Sequence, residues 1–214
     1  AGTSSRDLTI SNTSTAQNTA VVWLSSLGAG AGCTFNVIRN CNLSSSANQG
    51  VQSIQNFGVV ASGTTLSNTT DGLDNDHNRI ADNSITGSRY GISMRGGAAN
   101  PNDRNRIEGN VVGPAAFGAG QIGKVGIHVM NQDTCVITRN EVRFAGLLFA
   151  QTAVTDDRFG IALGSEAWPP GSGVVTNTMV TRNHVHDIVD EKAASAVGIL
   201  LAGGGLLLLG YLFV

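Results

Sequence analysis

The sequence predicts an all-β fold: a right-handed parallel β-helix, a solenoid of about six turns. Three observations carry the prediction. A unit of the Gly-Ile-x-Met type starts at Gly58, Gly91, Gly126, Gly160 and Gly198, with a degenerate copy at Ala20, and successive starts lie 38, 33, 35, 34 and 38 residues apart. An Ile-x-x-Asn-x-Ile unit is interleaved with it, at Ile38, Ile80, Ile107, Ile137 and Val180. Both units are short apolar patterns of strand length, and 28 glycines among many Asn, Ser and Thr, with only 5% aromatics, weaken any helix interior.

In chain order, residues 1–203 are read as the solenoid and residues 204–214 as an apolar tail. Ile10 opens a degenerate asparagine unit and Ala20-Val21-Val22-Trp23 the first glycine unit. The Ile38 copy carries Cys41 where later copies carry asparagine. Asn83, Asn110, Asn140 and Asn183 share one repeat position, so stacked rungs about 4.8 Å apart would bond their amides into a ladder. Gly91, Gly126, Gly160 and Gly198 are expected to be structural too, each allowing a bend or close packing between rungs.

Spacing also locates the loops. Asparagine-unit starts lie 42, 27, 30 and 43 residues apart, which puts extra chain before Ile80 and before Val180. On a rigid scaffold such insertions are where binding tends to reside. The stretch from Ala193 to Val214 has no charge and is long enough for a membrane span. Its first half belongs to the last glycine unit and no basic residue follows, so the favoured expectation is a final strand plus a cap, or an inter-chain contact through Leu206 to Val214.

Charged residues are 13% of the chain, the net charge is -2, and the arginines are scattered along the sequence, which argues against a nucleic-acid partner. Three cysteines, Cys33, Cys41 and Cys135, are an odd count without zinc-site spacing and read as buried small apolar side chains.

The densest polar cluster is Asp71-Gly72-Leu73-Asp74-Asn75-Asp76-His77. Asp71, Asp74 and Asp76 offer the oxygen ligands that Ca²⁺ takes, while the same residues also suit a solvated turn. A second cluster comes from stacking: with asparagine units in register, Glu141 lies beside His184 and Arg143 beside His186, all outward. Such a group can bind a metal, relay a proton, or simply form an exposed polar row. Trp168, with Pro169 and Pro170, sits on an expected loop, where it either stacks on a sugar ring or folds back on the solenoid.

The repeats over about residues 8 to 203 resemble the pectate-lyase-like superfamily, and most closely the β-helix repeat segments of large bacterial surface and secreted proteins. Thr70-Asp71-Gly72-Leu73-Asp74 is similar to the Asn-Thr-Asp-Gly-x-Asp signature of polygalacturonases. Where that family has its Asp-Asp pair this chain has Gly87, Ser88 and Arg89, and Arg158-Phe159-Gly160 stands in place of Gly-His-Gly. Inverting hydrolysis needs an acid and a base carboxylate across the scissile bond. The resemblance therefore implies a non-catalytic extracellular or cell-surface segment, structural or adhesive, facing a polysaccharide or other glycan. A polysaccharide lyase or glycoside hydrolase using Asp71, Asp74, Asp76 and His77 is the alternative, and assembly through the apolar tail is a third.

Overall fold

Short apolar runs bounded by Gly, Asn and Asp form strands, and among the described residues there is no helix. In the computed structural model of the protein the structure describes residues 5–46, 55–147, 156–167, 171, 173–190, 195–203 and 207–209. The first sheet stacks β1 (Leu8–Ser11), β4 (Cys41–Ser44), β7 (Ser84–Thr86), β11 (Val111–Val112), β15 (Glu141–Leu147) and β19 (His184–Asp190). The second stacks β2 (Asn18–Ser25), β5 (Gln55–Ser62), β8 (Tyr90–Arg95), β12 (Val125–Met130), β16 (Arg158–Leu163) and β20 (Ala196–Leu201). The third stacks β3 (Val37–Arg39), β6 (Arg79–Ala81), β10 (Arg106–Glu108), β14 (Val136–Thr138), β18 (Thr178–Thr181) and β21 (Leu207–Leu209). A small fourth sheet holds β9 (Asn102–Asp103), β13 (Gln132–Asp133) and β17 (Val175–Thr176). Strands of neighbouring rungs pair in parallel, and the chain visits the first, second and third sheets in rotation, an order consistent with a solenoid.

Register puts like on like. Val59, Ile92, Ile127 and Ile161 stack along the second sheet, Ile80, Ile107, Ile137 and Val180 along the third, and Leu43, Ile85, Val112 and Val142 along the first. All twelve belong to one buried cluster. At about 1.5–3 kcal/mol for each buried aliphatic side chain, this column is the main favourable term of the fold.

The glycine unit has a steric cause. Gly126 is followed by buried Ile127, and a Cβ on Gly126 would stand 2.2 Å from Val142 Cγ1 and 2.6 Å from the Gly160 carbonyl oxygen. Two successive residues therefore turn toward the core, and the first has no room for a side chain. Gly58, Gly91 and Gly160 meet the same pair of neighbours one rung on. Gly198, on the last rung, meets only Val185, at 4.0 Å.

The asparagine ladder is present as hydrogen bonds. Asn83, Asn110 and Asn140 donate from Nδ2 to Oδ1 of Asn110, Asn140 and Asn183 at 3.0, 3.0 and 2.9 Å, and each also donates to a main-chain carbonyl, of Ile38, Ile80 and Ile107 respectively, at 2.9 Å. At Cys41 only the backbone N–H takes part, donating to Asn83 Oδ1 at 3.0 Å. Five residues earlier runs a second column, in which the backbone N–H groups of Asn36 and Asn78 donate to Oδ1 of Asn78 and Asn105 at 3.0 and 2.9 Å. A third links Cys33, Asn75 and Asn102 in the same way. The residues just before the first two columns, such as Asn40, Asp82, Arg139 and Arg182, and His77, Arg104 and Thr134, have φ between 53° and 57°, the left-handed corner that turns one strand into the next.

The cysteines occupy places in these columns. Cys41 stands in the first, Cys33 in the third, and Cys135, one register place before Val136 and so level with Asn105, in the second. All three are free thiols; Cys41 and Cys135 are buried and Cys33 partly so. Burial pushes the Cys135 thiol up to about 12, so it stays protonated.

Candidate functional site

The acidic loop does not converge on one point. Asp71 pairs with Arg95 at 2.6 Å. Asp74, at φ 56°, accepts the Gly30 N–H on Oδ2 at 2.5 Å and Asn100 Nδ2 on Oδ1 at 2.6 Å. Asp76 Oδ1 accepts the Asp103 N–H at 2.7 Å, and burial raises its pKa against that bond. His77 stacks on Phe35, ring centroids 4.5 Å apart. Each of these groups ties its part of the loop to a different neighbouring segment, rather than to the loop's own backbone. Trp168 lies outside the described residues, as does the tail apart from Leu207–Leu209, which pairs with β18. No helix among the described residues is long and apolar enough to cross a membrane.

The His-Glu row is assembled as the register predicts. Glu141 pairs with His184 and Arg143 with His186 across β15 and β19. His186 Nε2 lies 3.2 Å from Glu141 Oε1 and its Nδ1 2.6 Å from Asp187 Oδ2, while Arg143 Nη1 donates to Glu141 Oε1 at 2.8 Å. The Asp187 bond raises the His186 pKa, with Glu141 adding to it against partial burial. The two imidazoles stack with centroids 4.2 Å apart. Among the described residues, Glu141, His184 and His186 are the group of metal-ligating side chains that comes together.

Stacking also builds a site that the linear sequence hides. On the third sheet Ile107, Ile137 and Val180 point inward, which turns their neighbours outward. Arg106, Glu108, Val136, Thr138, Arg139, Met179, Thr181 and Arg182 line a cleft of about 360 Å³. Arg139 and Arg182 stand at the left-handed corner, beside the ladder asparagines. Glu108, with its side chain only 5% exposed, is held by Arg79 Nε at 2.5 Å, Arg106 Nη2 at 3.1 Å and Arg139 Nη2 at 3.5 Å. Burial alone would raise its pKa, but the bonds from Arg79 and Arg106 bring it below the ordinary carboxylate value. Arg79, Arg106, Arg139 and Arg182 against Glu108 leave a local excess of positive charge. The arginines are scattered in sequence because each comes from a different turn. Their common place, between Asn and Ile in Asn78-Arg79-Ile80 and Asn105-Arg106-Ile107 or just before the ladder asparagine at Arg139 and Arg182, is the signal that could have found them.

The leading edge of the second sheet holds a further polar group, and it is sealed. Asn56, Arg89, Lys124 and Arg158 lie at the starts of successive strands, and all four are buried. Arg89 pairs with Asp156, Arg158 lies 3.5 Å from Asp190, and Lys124 lies 3.5 Å from Glu166. Asn68 bonds both Tyr90 OH and Glu166, and Leu66 packs against the cluster of Phe57, Val60 and Phe159. Desolvation lowers the pKa of Lys124 and His128, raises that of Tyr90, and brings Arg158 down to about 10. Leu66, Asn68 and Glu166 belong to the two insertions, which cover this edge.

Comparison of the chain with protein families, with curated proteins and with solved structures finds no match.

Proposed function

We propose that the chain is a right-handed parallel β-helix of about six turns, akin to the pectate-lyase-like repeats of bacterial surface and secreted proteins, and that it serves as a non-catalytic extracellular binding segment. Its ligand is an acidic polysaccharide, bound in the arginine-lined cleft of the third sheet. The observation that carries this reading is that cleft: Arg106, Arg139 and Arg182 surround a pocket whose remaining polar lining is Glu108, Thr138 and Thr181. Guanidinium forks match carboxylate and sulfate groups. Threonine hydroxyls and a carboxylate suit sugar hydroxyls, whereas Glu108 would oppose the dense phosphate track of a nucleic acid.

Calorimetric titration with oligogalacturonate tests it. Binding is expected to weaken as salt rises and to fall about tenfold or more in Arg139→Ala/Arg182→Ala, since one charged hydrogen bond is worth about 1.5–3 kcal/mol. Equal affinity in that double variant, or no binding to any uronate or sulfated glycan, overturns the reading. Release of unsaturated or reducing-end product would favour the lyase or hydrolase alternative.

One observation favours assembly as a second reading. The exposed large hydrophobic residues among those described, Leu8, Trp23, Leu27, Phe35, Val37, Ile199 and Leu201, all lie on the first or the last rung. Stacking of a second copy end on end would cover them. Light scattering across a concentration series should then show growth that Phe35→Ser/Val37→Asp abolishes; a constant monomer mass removes this reading.

A further inference from the structure

We propose that Glu141, His184 and His186 form a binding site for a first-row divalent transition metal of the zinc type. Three independent features of the first sheet support it. His184 and His186 are two residues apart on β19, so both imidazoles leave the same face, and the in-register partner of His184 on β15 is Glu141. One strand thus supplies two nitrogens and its neighbour one carboxylate oxygen, the ligand types that open zinc sites combine with a solvent-facing fourth position.

The distances fit. The ligand atoms lie within 4.8 Å of one another, and His186 Nε2 already stands 3.2 Å from Glu141 Oε1. Around an ion bonded at about 2.0–2.1 Å, tetrahedral ligand atoms are about 3.4 Å apart. The separations from His184, at most 4.8 Å, close as that exposed side chain turns into place.

The outer contacts are the third feature. Asp187 Oδ2 accepts from His186 Nδ1 at 2.6 Å, which leaves Nε2 as the ligating nitrogen and orients it toward Glu141. Arg143 Nη1 holds the Glu141 carboxylate at 2.8 Å and steadies it on the sheet. Two imidazoles and a single carboxylate select a borderline-soft cation; calcium would want six or more oxygens.

Titration of the full chain with Zn²⁺ alone, followed by calorimetry, is expected to show one ion bound per chain. Co²⁺ in its place should give the strong visible bands of a tetrahedral site, and Ca²⁺ should not compete. His184→Ala, His186→Ala and Glu141→Gln should each weaken zinc by about tenfold or more, and Asp187→Ala by about tenfold through loss of orientation alone. These side chains are outside the core, so unchanged thermal unfolding of the metal-free variants checks that the fold is retained. Absence of zinc binding by the wild-type chain overturns the proposal. So does stoichiometric binding that survives in His184→Ala/His186→Ala.

Discussion

The cation rows of the second and third sheets begin from the same material and end differently. Both carry cations on successive rungs: Arg89, Lys124 and Arg158 on the second, Arg79 and Arg106 with Arg139 and Arg182 on the third. On the second sheet the insertions lie over the row, so its cations are buried and paired with Asp156, Glu166 and Asp190. On the third the connections are tight corners, and the arginines stay in reach of solvent around Glu108. A repeat places a row of side chains; the loops decide whether the row becomes interior or binding surface.

The largest expected effect comes from breaking the covered row. Arg158→Ala removes a fully buried cation that lies 3.7 Å from Asp156 and 3.5 Å from Asp190, and should cost about 3–5 kcal/mol in denaturant unfolding. Arg182→Ala on the open row should change stability by no more than about 0.5 kcal/mol. Equal costs would show that covering the second sheet has no energetic weight.

A smaller effect separates covered rungs from end rungs. Gly126→Ala forces a Cβ against Val142 and the Gly160 carbonyl and should cost about 1–3 kcal/mol or more. Gly198→Ala, with Val185 at 4.0 Å, should be within about 0.5 kcal/mol of the wild type. Thermal unfolding of the two variants side by side measures the contrast.

The smallest effect sharpens the open row. Glu108 has a folded pKa below its ordinary value, so its contribution is complete above the unfolded carboxylate pKa and is lost as pH falls through the folded one. Urea unfolding carried from about pH 6 down through about pH 3 should therefore show wild-type stability falling toward that of Glu108→Gln, from a gap of about 1–2 kcal/mol. A gap that is constant across this range would mean that the Arg79 and Arg106 contacts do not discriminate the ionised form. Glu108→Gln should also tighten oligogalacturonate binding, because it removes the one negative charge in the cleft.

Much of the scaffold was legible from local chemistry. The Gly-Ile and Asn-x-Ile units gave the strands and the first amide ladder, because each unit states its own inward and outward alternation. The Glu141, His184 and His186 row was legible too, since in-register stacking of two copies is enough to place it. The second and third ladder columns were written in Asn36, Asn78 and Asn105 and in Asn75 and Asn102, five and eight residues before the first column, but asparagines in such polar stretches also suit ordinary turns and so do not stand out. The arginine cleft was hidden because its members are 27 to 43 residues apart in sequence and gain a common charge only when rungs stack.

The sequence by itself determined the repeat, the strands and the steric need for glycine at Gly126, all consequences of covalent geometry and of neighbours a few residues apart or one period away. Tertiary structure alone decided which outward rows meet water. That depends on where Leu66, Asn68 and Glu166 come to rest, and an insertion's length says that a loop exists but not which face of the sheet it desolvates.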